Sequence, residues 1–456
     1  MDCIVCKFGG TSVASSQRVE HIAGIVESDP RRRCVVLSAP GKAPGIDTKV
    51  TDLLIKAAAV SLQGANPAET VDGIKKRYED IYVPLGLKAE LVQEVLSDLD
   101  HRITADKGDP PRYRDAIVAS GEDYNAKLFA RYLCTRGIQA KYVSPADAGL
   151  VVTPEFGNAQ PAPEAAFNLP RLKHDIAETI IVFPGFFGFT SDGDIATFSR
   201  GGSDLTGAIC AEALDAAEYE NWTDVDGIFS TSPKLVDAPE QIPALTYKEM
   251  RELSYIGFNV FHDEAVKPVL AKKIPIRLRN TNNLDNQGTL IVAERLPSER
   301  DVIGIASGGR FCSFTLQKFL LNREKGFGRK LLSIFEEMGL SYEHCPSGVD
   351  NISVILDQTQ FKPETVNSIV RAIEDRLKPE ELKTEFGIAL VAVVGEGLLH
   401  KVGVLAQAAK AMSNAGINIK MVNQGSSEIS MIFGIDAADE KAAVAALYNE
   451  FFKAGS

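Results

Sequence analysis

The chain of 456 residues contains one Trp, six His, six Met and seven Cys, and these scarcities remove several classes of function. Cys at 3, 6, 34, 134, 210, 312 and 345 form an odd, sparse set that excludes a disulfide framework for a chain of this length. Most lie in apolar stretches, such as CVVLSA from residue 34, and read as buried reduced thiols. Cys3 and Cys6 form a C-x-x-C pair with no second pair or Cys/His cluster beside it, so a zinc site lacks ligands. None of the His residues sits in a cluster suited to catalysis. No apolar run reaches the ~18 residues of a membrane helix. The opening MDCIVCKFGG lacks the charged and apolar regions of a signal peptide, so a cytoplasmic location is expected, with no membrane partner. Positive charge is also short: 49 Lys plus Arg against 61 Asp plus Glu leave a formal charge of −12. No basic patch with interleaved aromatics occurs, and RRR at 31–33 reads as a short solvated run, which excludes nucleic acid as a general partner. The favoured ligand is a small molecule.

With 45% hydrophobic and 24% charged residues the chain can bury several cores. Its length suggests two to four domains of roughly 100–200 residues each. Over residues 1–297, short β-rich runs alternate with helical patterns. CIVCKF, CVVLSA, DAIVAS, AKYVS, TIIVFPGFF, AEYENWTDV and IPIRLRN read as strands. Val19, Ile22, Ile25 and Val26 repeat at helical spacing, as do residues 126–133 before a capping Gly137. Strands alternating with helices predict an α/β domain on a mainly parallel sheet sandwiched by helices. A helical insertion is expected at about residues 50–105 and a hairpin in FFGFTSDGDIATFS. Beyond it, a β-α-β-β-α pattern occurs twice, the order of a ferredoxin-like α+β fold that needs one more strand. The first unit, 310–387, finds that strand in LKTEFG; the second, 388–456, runs out of chain and borrows VIGIASG at 302–308. Two interlaced units are therefore expected.

Three glycine clusters follow strands. In KFGGTS (7–12) paired glycines let the backbone approach an anion, a following helix offers free N–H donors, and Lys7 adds a point charge. No GxxxxGK[ST] occurs, so this is not a Walker A loop. In RGGSD (200–204) a guanidinium able to clamp a carboxylate precedes a second helix start. LSAPG (37–41) is the third. SGE (120–122) and WTDVDG (222–227) are read as further strand ends, the first carrying a carboxylate suited to an ammonium group. Ligands of open α/β sheets sit at the carboxyl ends of strands, and these clusters converge there.

Together, KFGGTS, LSAPG, SGE, GFFGF, RGGSD and WTDVDGI resemble the motifs of the aspartate kinases of the amino acid kinase superfamily, and the paired C-terminal units look like ACT regulatory domains. The resemblance runs from about Cys3 to Phe452. It implies ATP-dependent phosphorylation of the β-carboxylate of L-aspartate to 4-phospho-L-aspartate, the entry to lysine, threonine and methionine synthesis, in a kinase without an attached dehydrogenase. Carried over by motif, Lys7 holds the transferring phosphate and Gly9, Gly10 and Thr11 its oxygens. Ser38 and Thr48 contact aspartate or phosphate, Glu122 the substrate ammonium and Arg200 its α-carboxylate. Asp204 orients Lys7, while Thr223 and Asp224 line the ATP pocket. Mg²⁺ is expected through the ATP phosphates rather than a dedicated cage. An acceptor carboxylate is already ionised near neutral pH, so no strong general base is required, and transfer rests on alignment and charge stabilisation.

The chain departs from the family where Gly-Ala-Lys-Val-Leu-His-Pro is common: here Asn259 replaces the phosphate-holding Lys, Phe229 replaces a frequent Tyr, and Lys234 replaces a frequent Arg. Lys234 or Lys267 is a candidate compensating cation. The ACT-like pair implies a lysine or threonine effector and a homodimer or homotetramer. Phe319, Ser347, Val349 and Asp350 would form one wall of the effector site, and Asn418 and Ile419 another. Two further readings stand beside this one: a kinase for another amino acid carboxylate or carbamate, and an amino-acid sensor whose kinase domain has decayed.

Overall fold

Five short runs, all but the last mostly apolar, set the first sheet. In the computed structural model, which describes residues 2–453 except Arg200, 258–265, 296–300, His400, 426–427 and the side chain of Pro363, they become β1 (Ile4–Phe8), β2 (Arg32–Leu37), β3 (Ala140–Tyr142), β4 (Ile180–Pro184) and, after a hairpin of β5 (Phe187–Phe189) and β6 (Ile195–Thr197), β7 (Glu218–Thr223). With β8 (Ala244–Thr246), β9 (Ile276–Asn280) and β10 (Thr289–Val292) they make an eight-stranded sheet in the order β3-β4-β2-β1-β7-β9-β10-β8. Every pairing in it is parallel except β9 with β10. β1 and β4 are buried along their whole length, as strands covered on both faces must be.

The helical insertion comprises α2 (Val50–Leu62), α3 (Ala68–Tyr82), α4 (Ala89–Leu96) and α5 (Asp98–Thr104), following α1 (Ser16–Glu27). Helix continues where the sequence suggested a strand: DAIVAS lies in α6 (Pro110–Val118) and at the start of α7 (Ser120–Thr135). The reason is local. Asp109 caps α6 by accepting from the Arg112 N–H at 3.1 Å, Pro110 occupies the first turn, and Tyr113, Ile117 and Val118 form a buried helical face. SGE therefore opens a helix instead of closing a strand. The RRR run also differs from expectation. Arg32 is buried on β2, and its guanidinium donates to both oxygens of Glu220 on β7, at 2.7 and 2.9 Å. Five of the seven cysteines are buried, Cys134 is exposed and Cys345 is half-buried.

The described chain divides into two compact units, and the division does not follow sequence order. The first holds Met1–Ile228, Gln241–Tyr247 and Val260–Arg295; the second holds Phe229–Glu240, Lys248–Asn259 and Leu296–Ser456. Within the second, β11 (Gly304–Gln317), β12 (Asn351–Asp357), β13 (Glu381–Val394), β14 (Met421–Gln424) and β15 (Ser430–Asp436) form an antiparallel sheet in the order β12-β11-β13-β15-β14. Two 14-residue strands, β11 and β13, run along each other, and residues 304–308 pair with 390–394 while 311–317 pair with 381–388. One sheet thus serves two helical layers, with cores around Phe314, Leu331 and Ile369 and around Val391, Met412 and Leu447. Residues 340–344 (LSYEH), the expected second strand of the first unit, form no strand; isolated bridges at His344 and, just beyond, at Ser347 join this stretch to β12. Of INIKMVNQGS, only Met421–Gln424 is strand. Among the described residues no helix is long and apolar enough to cross a membrane.

Candidate active site

Parallel register places the first pair of charges. Lys7 on β1 is level with Asn221 on β7, and β7 lies beside the start of the helix Gly202–Leu214, whose first turn carries Asp204. Lys7 Nζ lies 2.6 Å from Asp204 Oδ1, and Asn221 Nδ2 donates to the same oxygen at 2.8 Å. The two charged side chains are only 11% and 13% exposed, so the pair is held in place where an exposed one would be mobile. The ammonium is fixed at the carboxyl end of β1, where the chain turns through Gly9 into a single 3₁₀ turn, Gly10–Val13; the long helix α1 begins only at Ser16.

The second wall comes from the chain after β2. Gly41 N–H donates to Gly10 O at 2.8 Å, and the two glycines pack so tightly that a Cβ on Gly10 would sit 2.8 Å from Ala39 O, and one on Gly41 2.7 Å from Gly10 C. Only glycine permits this approach. The turn and the loop bound a cavity of ≈ 310 Å³ lined by Gly10, Thr11, Ser38, Glu122 and Asp224 among others. Asn125 Nδ2 donates to Ser38 O at 2.7 Å and fixes the loop from below.

Glu122, 5% exposed, sits in the first turn of α7. Its Oε1 accepts the Ala39 N–H at 3.0 Å, while Oε2 is buried with no partner. Burial outweighs the hydrogen bonds from Ala39 and its own N–H and pushes its pKa up to about 8. A carboxylate that lines a small cavity and keeps one buried oxygen without a partner is suited to a cationic donor.

Gly9, Gly10, Thr11, Ser38, Glu122 and Asp224 are thus gathered around one glycine turn, with Lys7 Nζ 3.6 Å from where a Cβ of Gly9 would lie. Thr223 ends β7 and accepts the Thr281 N–H on its carbonyl at 2.8 Å. Thr48 is exposed and does not line the cavity; its neighbours Lys49 and Thr51 do. Phe229 and Lys234 belong to the second unit, with Lys234 exposed. Arg200 and Asn259 lie outside the described residues. Asn221, Lys49 and Thr51 were missed. Lys49 and Thr51 flank Thr48 in sequence, whereas Asn221 is recognisable only once β1 and β7 are known to be adjacent.

In the second unit, Phe319 and Val349 are 68% and 64% exposed, unusual for apolar side chains. Leu320 N–H donates to Asp350 Oδ1 at 2.8 Å and Asn322 N–H to Val349 O at 3.2 Å, so the 319–322 loop and the 347–351 segment, with Ser347, form one surface. Of the other expected wall, Ile419 packs on the core around Met412, and Asn418 is exposed.

Residues 2–280 match the sequence model of the amino acid kinase family, and 391–451 match an ACT domain. The chain is 50% identical over 448 residues to aspartokinase 3 of Bacillus subtilis, covering 98% of each chain. It is 28% identical to the lysine-sensitive aspartokinase 3 of Escherichia coli, covering 99% of this chain and 100% of the other. Among solved structures, the aspartate kinase of Clostridium acetobutylicum superposes with a TM-score of 0.87 at 35% identity, covering 98% of this chain and 100% of that one. E. coli aspartokinase III in complex with aspartate and ADP superposes with 0.79 at 26% identity, covering 99% and 100%. The chain belongs to the amino acid kinase family and, within it, to the aspartokinases.

Proposed function

We propose that this chain transfers the γ-phosphoryl group of ATP to the β-carboxylate of L-aspartate, giving 4-phospho-L-aspartate at the head of lysine, threonine and methionine synthesis. The observation that carries this reading is the pairing of two features around one glycine turn. Lys7 is a fixed cation at its start, and Glu122, which lines the cavity beside it, is a buried carboxylate with one oxygen left without a partner. One suits a phosphate and the other an ammonium. An amino acid anchored by its ammonium presents a carboxylate toward the cation.

The residues divide the work as follows. Lys7, with the backbone of Gly9, Gly10 and Thr11, stabilises the charge of the transferring group, and Asp204 keeps the Lys7 ammonium aimed, aided by Asn221. Glu122 binds the aspartate ammonium, Arg200 its α-carboxylate, and Ser38 completes the acceptor side, with Thr48 carried over to it from the motif alone. Thr223 and Asp224 serve the nucleotide, and Phe229, Lys234 and Asn259 are assigned to it from the family motif alone. Magnesium enters on the ATP phosphates and supplies charge neutralisation there. Because the acceptor is already an anion, the protein's task is to bring two anions into line, so that the oxygen–phosphorus bond forms as the bond to ADP breaks.

The catalytic domain is assigned to 1–297 and two ACT domains to 310–387 and to 302–308 plus 388–456. Lysine or threonine bound at the surface of Phe319, Ser347, Val349 and Asp350 is proposed to shift a population between two arrangements of a cytoplasmic homodimer or homotetramer. The solved E. coli aspartokinase III in complex with lysine and aspartate, described as a T-state, supports lysine as the first effector to try. Offering ATP with aspartate, glutamate and N-acetylglutamate in separate ADP-release assays tests the reaction. Release dependent on aspartate alone is expected, and a preference for either other acid overturns the assignment.

A further inference from the structure

The helical insertion contains a buried charge that the proposed chemistry leaves unused. Arg77, near the C-terminal end of α3, is 8% exposed, and among the described residues its guanidinium has no carboxylate partner. A single nitrogen, Nη2, donates to Ala14 O at 2.7 Å and to Gly41 O at 3.0 Å, while Nε is buried without a partner. Desolvating a cation is costly, and two carbonyls are weak compensation compared with a carboxylate.

The two carbonyls are not arbitrary ones. Ala14 caps the 3₁₀ turn that carries Gly10 and Thr11, and Gly41 belongs to the loop packed on Gly10. These are the two walls of the ≈ 310 Å³ cavity. The same helix holds the rest of the cavity's frame. Tyr78 OH donates to Gly121 O at 2.6 Å, next to Glu122, and Tyr82 OH donates to Asn125 Oδ1 at 2.6 Å, the residue whose amide grips Ser38 O.

We propose that Arg77 is a positioning residue: by bridging Ala14 and Gly41 through one cationic nitrogen it sets the spacing of the two glycine walls and so the alignment of phosphate and acceptor. It acts through those walls and touches no reactant. The requirement is for one cationic donor, so lysine should serve in its place and an isosteric apolar chain should not.

The inference rests on the proposed reaction, so the wild-type enzyme is assayed first, with hydroxylamine trapping the acyl phosphate as aspartyl hydroxamate alongside ADP. Failure of the wild type would sink the reaction itself, independently of Arg77. Given an active wild type, R77M is expected to lose about 10–100-fold in kcat with KM for both substrates within about threefold, as misalignment without loss of contacts would produce. R77M is also expected to release more ADP than hydroxamate, because a misplaced acceptor lets water compete. R77K is expected to recover kcat to within about fivefold of wild type, on the same principle. Wild-type kcat and coupling in folded R77M would overturn the proposal, as would R77K no better than R77M. If R77M does not fold, R77Q is measured against the same criteria, with R77K still required to restore coupling.

Discussion

Glu122 shows how burial and function pull on one group. Its pKa, near 8 against an ordinary 4.5, lies above the value in the unfolded chain. The neutral carboxyl therefore contributes its full share to stability below pH 4.5, and that share is lost as pH rises through about 8. Recognition of an ammonium needs the ionised form, so substrate affinity runs the other way. We predict that kcat/KM for aspartate rises with pH through about 8, while the thermal stability of the free enzyme falls over the same interval. Glu122→Gln should remove both dependences and lower kcat/KM for aspartate by about 10–100-fold, the worth of a hydrogen bond to a charged group. An unchanged pH profile in that variant, measured by initial rates, would remove Glu122 from the substrate site. Lys7, Asp204 and Glu122 were legible in the sequence because each stands beside glycine or a helix start. Arg32, Arg77 and Asn221 were not, since a lone polar residue inside a strand or helix has no local signature; its partner is chosen by register and packing. Arg32 was misread for this reason, its Glu220 lying 188 residues away in the chain.

At the scale of elements, the site depends on two turns that nearly interpenetrate. Gly41→Ala would force a methyl to within 2.9 Å of Thr11 N and Gly10 O, all backbone atoms that cannot step aside without moving the cavity wall. Turnover should fall by at least about tenfold, on the scale expected for ångström misplacement. Gly24→Ala makes the control. Gly24 lies within α1 with open space where its Cβ would go, and the change should stabilise the protein by about 0.5–1 kcal/mol with turnover unchanged. Chemical denaturation and steady-state rates together separate the two, and a Gly41→Ala enzyme with wild-type turnover would contradict the close-packed wall. The alternating β and helical runs were readable because the buried parallel strands β1, β2 and β4 are largely apolar. DAIVAS misled because Ile117 and Val118 serve equally well on a helix face, and the decisive signals, Asp109 and Pro110, lie upstream of the apolar run.

For the whole molecule, the boundary near residue 297 is a boundary in sequence and not in packing. Phe229–Glu240 and Lys248–Asn259 belong to the second unit. Val236 is buried among Val302, Ile305 and Val393, Ser430 Oγ donates to Glu252 Oε2 at 2.7 Å, and Glu396 N–H donates to Glu249 Oε1 at 2.8 Å. Truncation after Pro297 would strip Val236 of that cover, at about 1.5–3 kcal/mol for a large side chain left exposed. The fragment is therefore expected to aggregate and to lose any response to lysine or threonine, as sedimentation and inhibition assays would show. A soluble fragment that still responds would place the effector site outside the C-terminal region. The repeated β-α-β-β-α pattern was visible in sequence, but the recruitment of residues 229–240 and 248–259 was not, because those segments lie within the kinase motifs and their partners, from Val302 to Ser430, lie far onward in the chain.

The central claim is that one glycine turn, flanked by Lys7 and Glu122, joins ATP to the side-chain carboxylate of aspartate. The most direct test is the yield of aspartyl hydroxamate per ADP when ATP, L-aspartate and hydroxylamine are incubated with the wild-type enzyme and with Lys7→Ala. The account predicts equal amounts of the two products from the wild type, and a fall of about 10²–10³-fold in the rate of both for the folded variant. ADP formation without hydroxamate in the wild type, or a Lys7→Ala enzyme that turns over normally, would contradict it.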